Sequence, residues 1–321
     1  MPKQLIELEN ISCPACKSCS YKELTRTMDY DYFTSELFFT IVLCSNCGLV
    51  YVNPRPKLSQ IEKIYPNEYS AYHFDKIPNP IIKKARNFMQ QSKARCILKC
   101  GGKNGTPIRI MDVGCGSPAL LNLLKDMSRS KLELYGNDFN NSALDAVKNA
   151  GFIPVNGAFE SIQWQGNFFD VIIMNQVIEH LFDLSGTLTK AFNLLKNNGT
   201  LFIETPSDDG LDAKIFRFNH WGGYHIPRHL QIFNAQTIKN TLSRHGFTIE
   251  AIEYLPSPNF WTSSLRNFLY RKGFPHALTK RMNYKNIGFM AAFSLIDTIT
   301  KQFHPTSNMR VIARKCLSKD E

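Results

Sequence analysis

Short apolar runs alternate with amphipathic stretches through the middle of the chain. The run at residues 108–113 is followed by the glycine turn Gly114-Cys115-Gly116. Leucines at helical spacing come next, at Leu120, Leu121, Leu123 and Leu124. A strand, a tight turn and a helix in this order make one βα unit. Because more such units follow, the pattern predicts an α/β fold with a doubly wound sheet.

The same pattern fixes the approximate bounds of the remaining elements. Strands are predicted near 108–113, 132–138, 152–156, 170–175, 199–204, 248–254 and 308–315. Helices are predicted near 80–99, 117–129, 141–150, 183–197 and 235–246. Residues 255–307 interrupt the alternation with two further helices and many basic residues. This insertion before the last strand is interpreted as a lid, a dimer face or a surface that contacts a membrane.

The cysteines are concentrated near the N-terminus, where five of the nine lie within the first 47 residues. Two C-x2-C pairs, Cys13/Cys16 and Cys44/Cys47, are separated by 27 residues and followed by a short apolar run. Two such knuckles close a tetrahedral four-thiolate site, so we predict a structural Zn²⁺ in a zinc-ribbon-like segment. Cys19 repeats the spacing but has no following glycine or strand. A reduced, metal-free set of cysteines is the alternative.

Composition and charge argue against a transmembrane or secreted protein but do not identify the partner or substrate. The 321 residues are 43% hydrophobic and carry a formal charge of +11. The sequence has no apolar run of about 18 residues and no secretory leader, so we expect a cytoplasmic protein without a transmembrane helix. The basic balance suits an anionic partner such as nucleic acid, a phosphorylated substrate or a membrane face. A generally basic surface without such a partner explains it equally well.

Several motifs carry a resemblance to a known family. The string D-V-G-C-G-S begins at Asp112, and an acidic residue, Asp138, ends the next predicted strand. The pair Glu179-His180 follows the fourth strand, and the fifth ends in E-T-P. Over residues 108–254 this order resembles class I S-adenosylmethionine (SAM) methyltransferases of the ubiquinone-biosynthesis type. The resemblance implies a Rossmann-like, seven-stranded sheet and SAM as cofactor.

The N-terminal segment carries a second resemblance. Its C-P-x-C and C-x-x-C-G-L-V-Y-V-N-P-R-P strings resemble a segment of bacterial methyltransferases, many of which modify sugars, surface polysaccharides or natural products. The predicted division is a zinc-ribbon-like segment at 1–56, a helical linker or cap at 57–107 and a methyltransferase domain at 108–321. In the family the linker region caps the cofactor pocket, which makes Tyr69 and Tyr72 candidates to cover SAM.

The predicted cofactor site lies at the carboxyl ends of the strands, where open α/β sheets bind ligands. Asp112 is expected to organise the glycine turn and hold the methionine amino group, Asp138 to bind the ribose, and Phe139 to stack on adenine. The whole predicted set is Asp112, Gly114, Gly116, Asp138, Phe139, Ala158, Phe159, Asn175 and Gln176.

The catalytic base is predicted among three histidines. His180 is the first candidate, with His225 and His229 as alternatives, although His180 is equally suited to orienting its loop. The stretch 205–234 is expected to bind the acceptor through Trp221, Tyr224 and Arg228, as a ring face and an anion clamp. We predict no catalytic metal, because Gln176 stands where related enzymes often have an acidic residue.

Three functions compete at this point. The first is SAM-dependent methylation of a small polar acceptor, such as a sugar, a nucleotide-linked sugar or a related metabolite, by a monomer or homodimer. The second is RNA methylation. It is weakened because the loop reads N-Q-V-I-E-H, without the Pro-Pro-aromatic element that grips a base amine, and because E-T-P lacks a cysteine nucleophile. The third is a non-catalytic SAM- or zinc-binding scaffold, which the intact glycine turn and its acidic residues argue against.

Overall fold

The computed structural model describes residues 6–66, 80–101, 107–279, 281–283 and 285–316, and Tyr69 and Tyr72 lie outside them. The strands of this described part are β1 Leu8–Glu9, β2 Tyr21–Thr27, β3 Phe39–Cys44, β4 Val50–Val52, β5 Arg55–Pro56, β6 Ile108–Val113, β7 Leu132–Asp138, β8 Ile153–Asn156, β9 Phe169–Asn175, β10 Leu195–Pro206, β11 Gln231–Ile232, β12 Phe247–Leu255 and β13 Asn308–Lys315. The helices are α1 Ile61–Ile64, α2 Pro80–Cys100, α3 Ala119–Met127, α4 Asn141–Asn149, α5 Leu184–Leu194, α6 Leu211–Phe216, α7 Ala235–Ser243, α8 Pro258–Arg271, α9 His276–Thr279 and α10 Ile287–Thr300.

A seven-stranded sheet organises the fold, in the order β12-β13-β10-β9-β6-β7-β8. The five strands from β10 to β8 run parallel, whereas β13 is antiparallel to both β10 and β12. The chain order reverses between β6 and β9, which is where a doubly wound sheet opens a ligand crevice. The predicted α/β, Rossmann-like sheet is therefore confirmed.

Alternate residues of the central strands pack on opposite faces of this sheet. Val171 and Ile173 of β9 pack with Ile97 of α2 on one face. Ile172 and Met174 pack with residues of α5 and α7 on the other. Because both faces are covered by helices, the run in β9 is apolar throughout and not alternating. This explains why an uninterrupted apolar run predicted the strand correctly.

The N-terminal segment forms a separate four-stranded sheet that the later chain completes. Its order is β11-β4-β3-β2, and β11 comes from the stretch that follows β10. Tyr51 pairs with Gln231, and Val50 pairs with Ile232. Cys13 belongs to the same buried cluster as the core of the large sheet. The predicted boundaries at 56 and 107 stay a prediction, but backbone pairing ties the first segment to the third.

The helical insertion lies between β12 and β13, as predicted. Helix α8 begins at Pro258, since proline suits the first turn of a helix. It packs on the 205–234 stretch, where Gly222 N donates to Ser264 Oγ at 2.8 Å. Helix α10 packs on α8 through parallel stacking of Trp261 and Phe293, with ring centroids 5.6 Å apart. Among the helices described, none has the length and apolar character needed to cross a bilayer.

Candidate functional site

The glycine turn after β6 forms one wall of the crevice. Gly114 and Gly116 have φ of 61° and 60°, in the left-handed region that favours glycine. A Cβ on Gly114 would come within 3.0 Å of Val177, whereas one on Gly116 would meet nothing within 4 Å. Asp138 Oδ2 accepts a 2.9 Å bond from Gly116 N, and its Oδ1 accepts one from Asn140 N. The open turn with exposed backbone therefore fits a nucleoside-bearing ligand.

A buried charged group lies at the base of the crevice. Lys93 of α2 donates to Asn175 Oδ1 at 2.5 Å and pairs with Glu204 Oε2 at 2.7 Å. Burial raises the pKa of Asp112 to about 7, although Lys93 opposes the shift. A cation such as an amino group beside Asp112 would favour its ionised form. The position suits the predicted contact with the methionine amino group.

The other predicted cofactor residues differ in exposure. The Phe139 side chain is 66% exposed and open to stacking, and Ala158 is exposed. The Phe159 ring, in contrast, is 3% exposed and packs in the core, so only its backbone is placed to frame the edge of adenine, and this role stays a prediction. Gln176 is exposed, and its Nε2 donates to Asn308 Oδ1 at 3.2 Å. Asn175 is at the crevice, bonded to Lys93 as described above.

The three predicted histidines lie together, beyond the carboxyl end of β9. Ring centroids are 4.7 Å apart for His180 and His229, and 4.9 Å apart for His225 and His229. His180 Nδ1 lies 3.0 Å from the Arg228 carbonyl oxygen, and His229 Nδ1 lies 2.8 Å from that of Gly223. Since a carbonyl only accepts, each Nδ1 carries the hydrogen and each Nε2 keeps a lone pair.

The three histidines differ in whether their surroundings disfavour or favour a positive charge on the imidazole ring. Burial lowers the pKa of His180 to about 3, and burial lowers that of His229 well below its usual value. His225 instead faces a carboxylate, because its Nδ1 lies 2.6 Å from Asp31 Oδ2. Arg266 holds the other oxygen of Asp31 at 2.5 Å. Only the His225 ring therefore has a carboxylate hydrogen-bonded to it among the contacts described here.

Glu179 completes the group on the buried side. Its Oε2 accepts from Thr205 Oγ1 at 2.9 Å, and burial raises its pKa to about 8. One ligand atom each of Glu179, His180 and His229 lies within 4.8 Å of the others. This donor set of two nitrogens and one oxygen is spaced to hold a metal ion. The expectation of no catalytic metal stays a prediction.

The four predicted cysteine ligands meet at one point. The Sγ–Sγ distance is 3.5 Å both for Cys13 and Cys47 and for Cys16 and Cys44. The two knuckles have the same turn, in which the fourth residue after the first cysteine donates to its carbonyl oxygen. Zn–S bonds of about 2.3 Å in a tetrahedron place sulfurs roughly 3.8 Å apart, so the four side chains fit zinc. Cys19 is exposed and does not belong to the cluster.

A comparison with known families identifies this arrangement. Residues 85–252, just over half of the chain, match the family model described as a methyltransferase domain. The chain belongs to this methyltransferase family. The predicted family and enzyme class, a SAM-dependent methyltransferase, are therefore confirmed.

Individual relatives agree with this assignment, and a solved structure shares the fold. The methyltransferase is 25% identical over 174 residues to the ubiquinone biosynthesis O-methyltransferase of Bartonella tribocorum, covering 49% of this chain and 68% of the relative. It is 24% identical to the human mitochondrial ubiquinone biosynthesis O-methyltransferase, covering 50% of this chain and 47% of that protein. A putative sarcosine dimethylglycine methyltransferase from Galdieria sulphuraria has a similar fold, with a TM-score of 0.51, 12% identity and coverage of 74% and 91% of the two chains.

The three residues that were predicted to bind the acceptor are buried, and their polar atoms bond to other groups of the protein. Trp221 is 2% exposed, and its Nε1 donates to Asp212 Oδ2 at 2.9 Å. The hydroxyl of Tyr224, itself 3% exposed, donates to the Arg217 carbonyl oxygen. Arg228 pairs with Asp29 at 2.8 Å, and both side chains are 0% exposed. This corrects the expectation of an open ring face and an available guanidinium. All three side chains are packed in the interior.

Sequence reasoning missed several residues of the methyltransferase site. Lys93 shares a helix face with the buried Ile97 and Cys100, so a lysine on an apolar face was the available signal. Asp29 and Asp31 lie between β2 and β3, 199 positions from Arg228 and 194 positions from His225, respectively. No spacing in the sequence connects two such distant segments.

Proposed function

We propose that this methyltransferase transfers the methyl group of SAM to a hydroxyl of a small polar acceptor. A sugar, a nucleotide-linked sugar or a related metabolite is the proposed acceptor class. The observation that carries the proposal is the Asp31-bonded His225 next to two buried histidines that stay neutral. The His225–Asp31 pair would supply a general base in a partly desolvated site, which methylation of a hydroxyl requires.

The cofactor would be held by residues already described. Gly114 and Gly116 leave room for the nucleoside, Phe139 offers its exposed ring, and Asp138 fixes the turn beneath. Asp112, whose pKa burial raises to about 7, would face the positively charged methionine end. SAM supplies a methyl group that its sulfonium already activates. The protein must therefore align the acceptor oxygen and take its proton.

His225 is the proposed base. Its Nδ1 donates to Asp31, its Nε2 is the proposed proton acceptor, and the carboxylate would stabilise the imidazolium that forms. His180 and His229 resist protonation because burial penalises their charged forms. Their proposed role is to position the acceptor and the loop. This ranking differs from the sequence-based one, which placed His180 first.

The names of the relatives support an oxygen nucleophile. The curated relatives in Bartonella tribocorum and in human mitochondria are both called ubiquinone biosynthesis O-methyltransferases. At 24–25% identity their own acceptor does not transfer to this chain. The transferable expectation is the type of bond formed, between a methyl carbon and an oxygen.

Zinc is proposed as a structural metal in the N-terminal segment. Cys13, Cys16, Cys44 and Cys47 would hold it as thiolates. A metal would fix the two turns that lead into the four-stranded sheet of this segment.

An acceptor screen with matched variants tests the proposed function. Purified protein is incubated with SAM and a panel that begins with nucleotide sugars, and S-adenosylhomocysteine is measured. With an acceptor that is turned over, His225→Asn should lower kcat by about 10²–10⁴-fold while SAM affinity by calorimetry stays unchanged. Asparagine tolerates the left-handed backbone of this position, where φ is 39°.

His245→Ala is the control, since His245 bonds to Ser185 and Thr241 and should leave the rate unchanged. An unchanged rate in His225→Asn would refute the assignment of the base. Absence of SAM binding by the wild type would refute the proposed function as a whole.

A further inference from the structure

We propose that the helical insertion at residues 255–307 is a docking surface for an anionic lipid membrane. The surface consists of the outer face of α10, which is apolar, and of the exposed basic residues that flank this helix in the chain, Arg281, Lys285 and Lys301. The proposal concerns binding alone and does not depend on the acceptor or on the identity of the base.

The outer face of α10 exposes large apolar side chains. Leu295 is 62% exposed, Ile299 is 52% exposed, and Phe303, just beyond the helix, is 78% exposed. Ile287 and Ile296 add partly exposed side chains along the same helix. Exposed apolar residues are common singly, but a contiguous row on one helix marks an interaction site. This row therefore needs an apolar partner.

The inner face of the same helix is already occupied, which makes the outer face the one available for docking. Phe293 stacks on Trp261 of α8, and Asp297 accepts bonds from Trp261 Nε1 at 2.8 Å and Ser257 N at 2.5 Å. Asp297 is 2% exposed. Helix α8 in turn contacts the 205–234 stretch. The insertion is thus fastened to the protein on one side and apolar on the other.

The charge around this face is of one sign. Residues 255–307 contain seven lysines and arginines and one acidic residue, the buried Asp297. Arg281, Lys285 and Lys301 are exposed and flank α10, whereas Arg271 and Lys272 line a cavity beside Asn219 and His220. Apolar side chains framed by cations are complementary to lipid tails beneath anionic headgroups.

Two other occupants fit this surface less well. A second copy of the chain in a two-fold dimer would bring the same cations towards each other, and like charges disfavour that contact. A spanning arrangement is also not supported, because the described helices include none long and apolar enough to cross a bilayer. Shallow insertion of the α10 face into the lipid–water interface would bury the apolar side chains and place the cations beside anionic headgroups.

Vesicle binding by the full-length protein tests the proposal. Vesicles of phosphatidylcholine alone are compared with vesicles containing about 30% phosphatidylglycerol, since anionic lipid supplies the attraction. We expect binding to the anionic vesicles that weakens between about 0.1 M and 1 M salt. Leu295→Asp should weaken binding about tenfold or more, because it removes apolar area and adds a negative charge.

Two further variants separate the contributions. Leu58→Asp is the matched control, since Leu58 is 60% exposed and lies outside the insertion; its binding should equal that of the wild type. Arg281→Gln with Lys301→Gln should weaken binding about fivefold for each cation removed. Calorimetric SAM binding by each variant verifies that it is folded.

Several results would overturn the proposal. One is a wild type that ignores anionic vesicles while it still binds SAM, and another is equal loss of binding in Leu295→Asp and Leu58→Asp. Sedimentation giving a dimer that Leu295→Asp dissociates, without vesicle binding, would assign the face to a second copy instead. Vesicle binding and sedimentation do not require methyl transfer. A failed acceptor screen would therefore count against the proposed function but not against membrane binding.

Discussion

The buried ion pair between Arg228 and Asp29 can be tested directly, because a structural role for Arg228 and its predicted role as an anion clamp have different consequences for stability. Arg228 Nη2 lies 2.8 Å and Nη1 3.2 Å from the two oxygens of Asp29, and neither side chain has exposed area. Asp29 also accepts from Thr34 N at 3.0 Å and Thr34 Oγ1 at 2.7 Å. Arg228→Met keeps most of the buried volume and removes the charge. It therefore leaves an uncompensated carboxylate in the interior.

The expected loss follows from this burial. Removing one partner of a buried pair costs about 3–5 kcal/mol of unfolding free energy. The exposed pair Arg314 and Glu250, at 2.7 Å and with side chains 31% and 43% exposed, provides the matched control. Arg314→Met should cost at most about 1 kcal/mol. The double variant Asp29→Asn/Arg228→Met should regain part of the loss, because no lone charge remains buried.

The pH dependence gives a second signature. Burial pushes the pKa of Asp29 upward, but the charge and hydrogen bonds of Arg228 outweigh it and hold the pKa below its usual value. The pair therefore stabilises the wild type fully above the unfolded pKa of about 3.9 and less as the pH falls through the folded value. In Arg228→Met the Thr34 hydrogen bonds still lower the pKa of Asp29 but the arginine no longer does, so Asp29 protonates at a higher pH than in the wild type. The difference between the two proteins should narrow as the pH falls from 7 towards 4.

Urea denaturation followed by tryptophan fluorescence measures these differences at each pH. A loss in Arg228→Met no larger than that in Arg314→Met would refute the structural role. If the same variant also raised the KM for an acceptor without loss of stability, the original interpretation of Arg228 as a substrate clamp would stand.

Three further predictions concern the cofactor and the metal. Asp138→Ala should abolish calorimetric SAM binding because Gly116 N loses its acceptor, and unchanged affinity would contradict this. Burial raises the pKa of Asp112 to about 7, so wild-type stability falls as the pH rises from about 4 to 7; Asp112→Asn should remove that slope and be more stable at pH 8 by up to about 4 kcal/mol, as thermal melts would show. Cys16→Ser should lower zinc content and melting temperature whereas Cys19→Ser should not, and equal zinc in both would exclude the cluster as the site.

Local pattern was sufficient for most of the fold. The strand at Ile108–Val113 has the bounds that its apolar run predicted, and the last strand, Asn308–Lys315, does as well. The predicted helix at 183–197 instead ends at Leu194, because β10 begins at Leu195, with a register shift before Thr200. The helical pattern of apolar residues continues past Leu194, but Leu195 pairs with Phe169 of β9, which is distant in the sequence.

Chemistry held in one segment was also predictable, whereas chemistry shared between segments was not. The four cysteines were predicted because each pair lies in one turn and because a tetrahedral thiolate site requires two such turns. The acceptor side failed for the opposite reason. Trp221 and Arg228 are residue types that bind ligands, but Asp212 and Asp29 satisfy their polar atoms from positions that the sequence does not link to them.

The N-terminal segment joins the cysteine cluster to the three clustered histidines, and this connection argues against a purely local role for the proposed metal. Asp29 and Asp31 lie in the connection between β2 and β3, the strand that ends at Cys44. Strand β4, which follows the second knuckle, pairs with β11 just beyond the histidines. The SAM crevice, in contrast, is built by the turns after β6 and β7. Loss of zinc should therefore disturb the carboxylate beside His225 while the crevice keeps its shape. Chelated protein that still binds SAM but no longer turns over an acceptor would show this division, and simultaneous loss of both would contradict it.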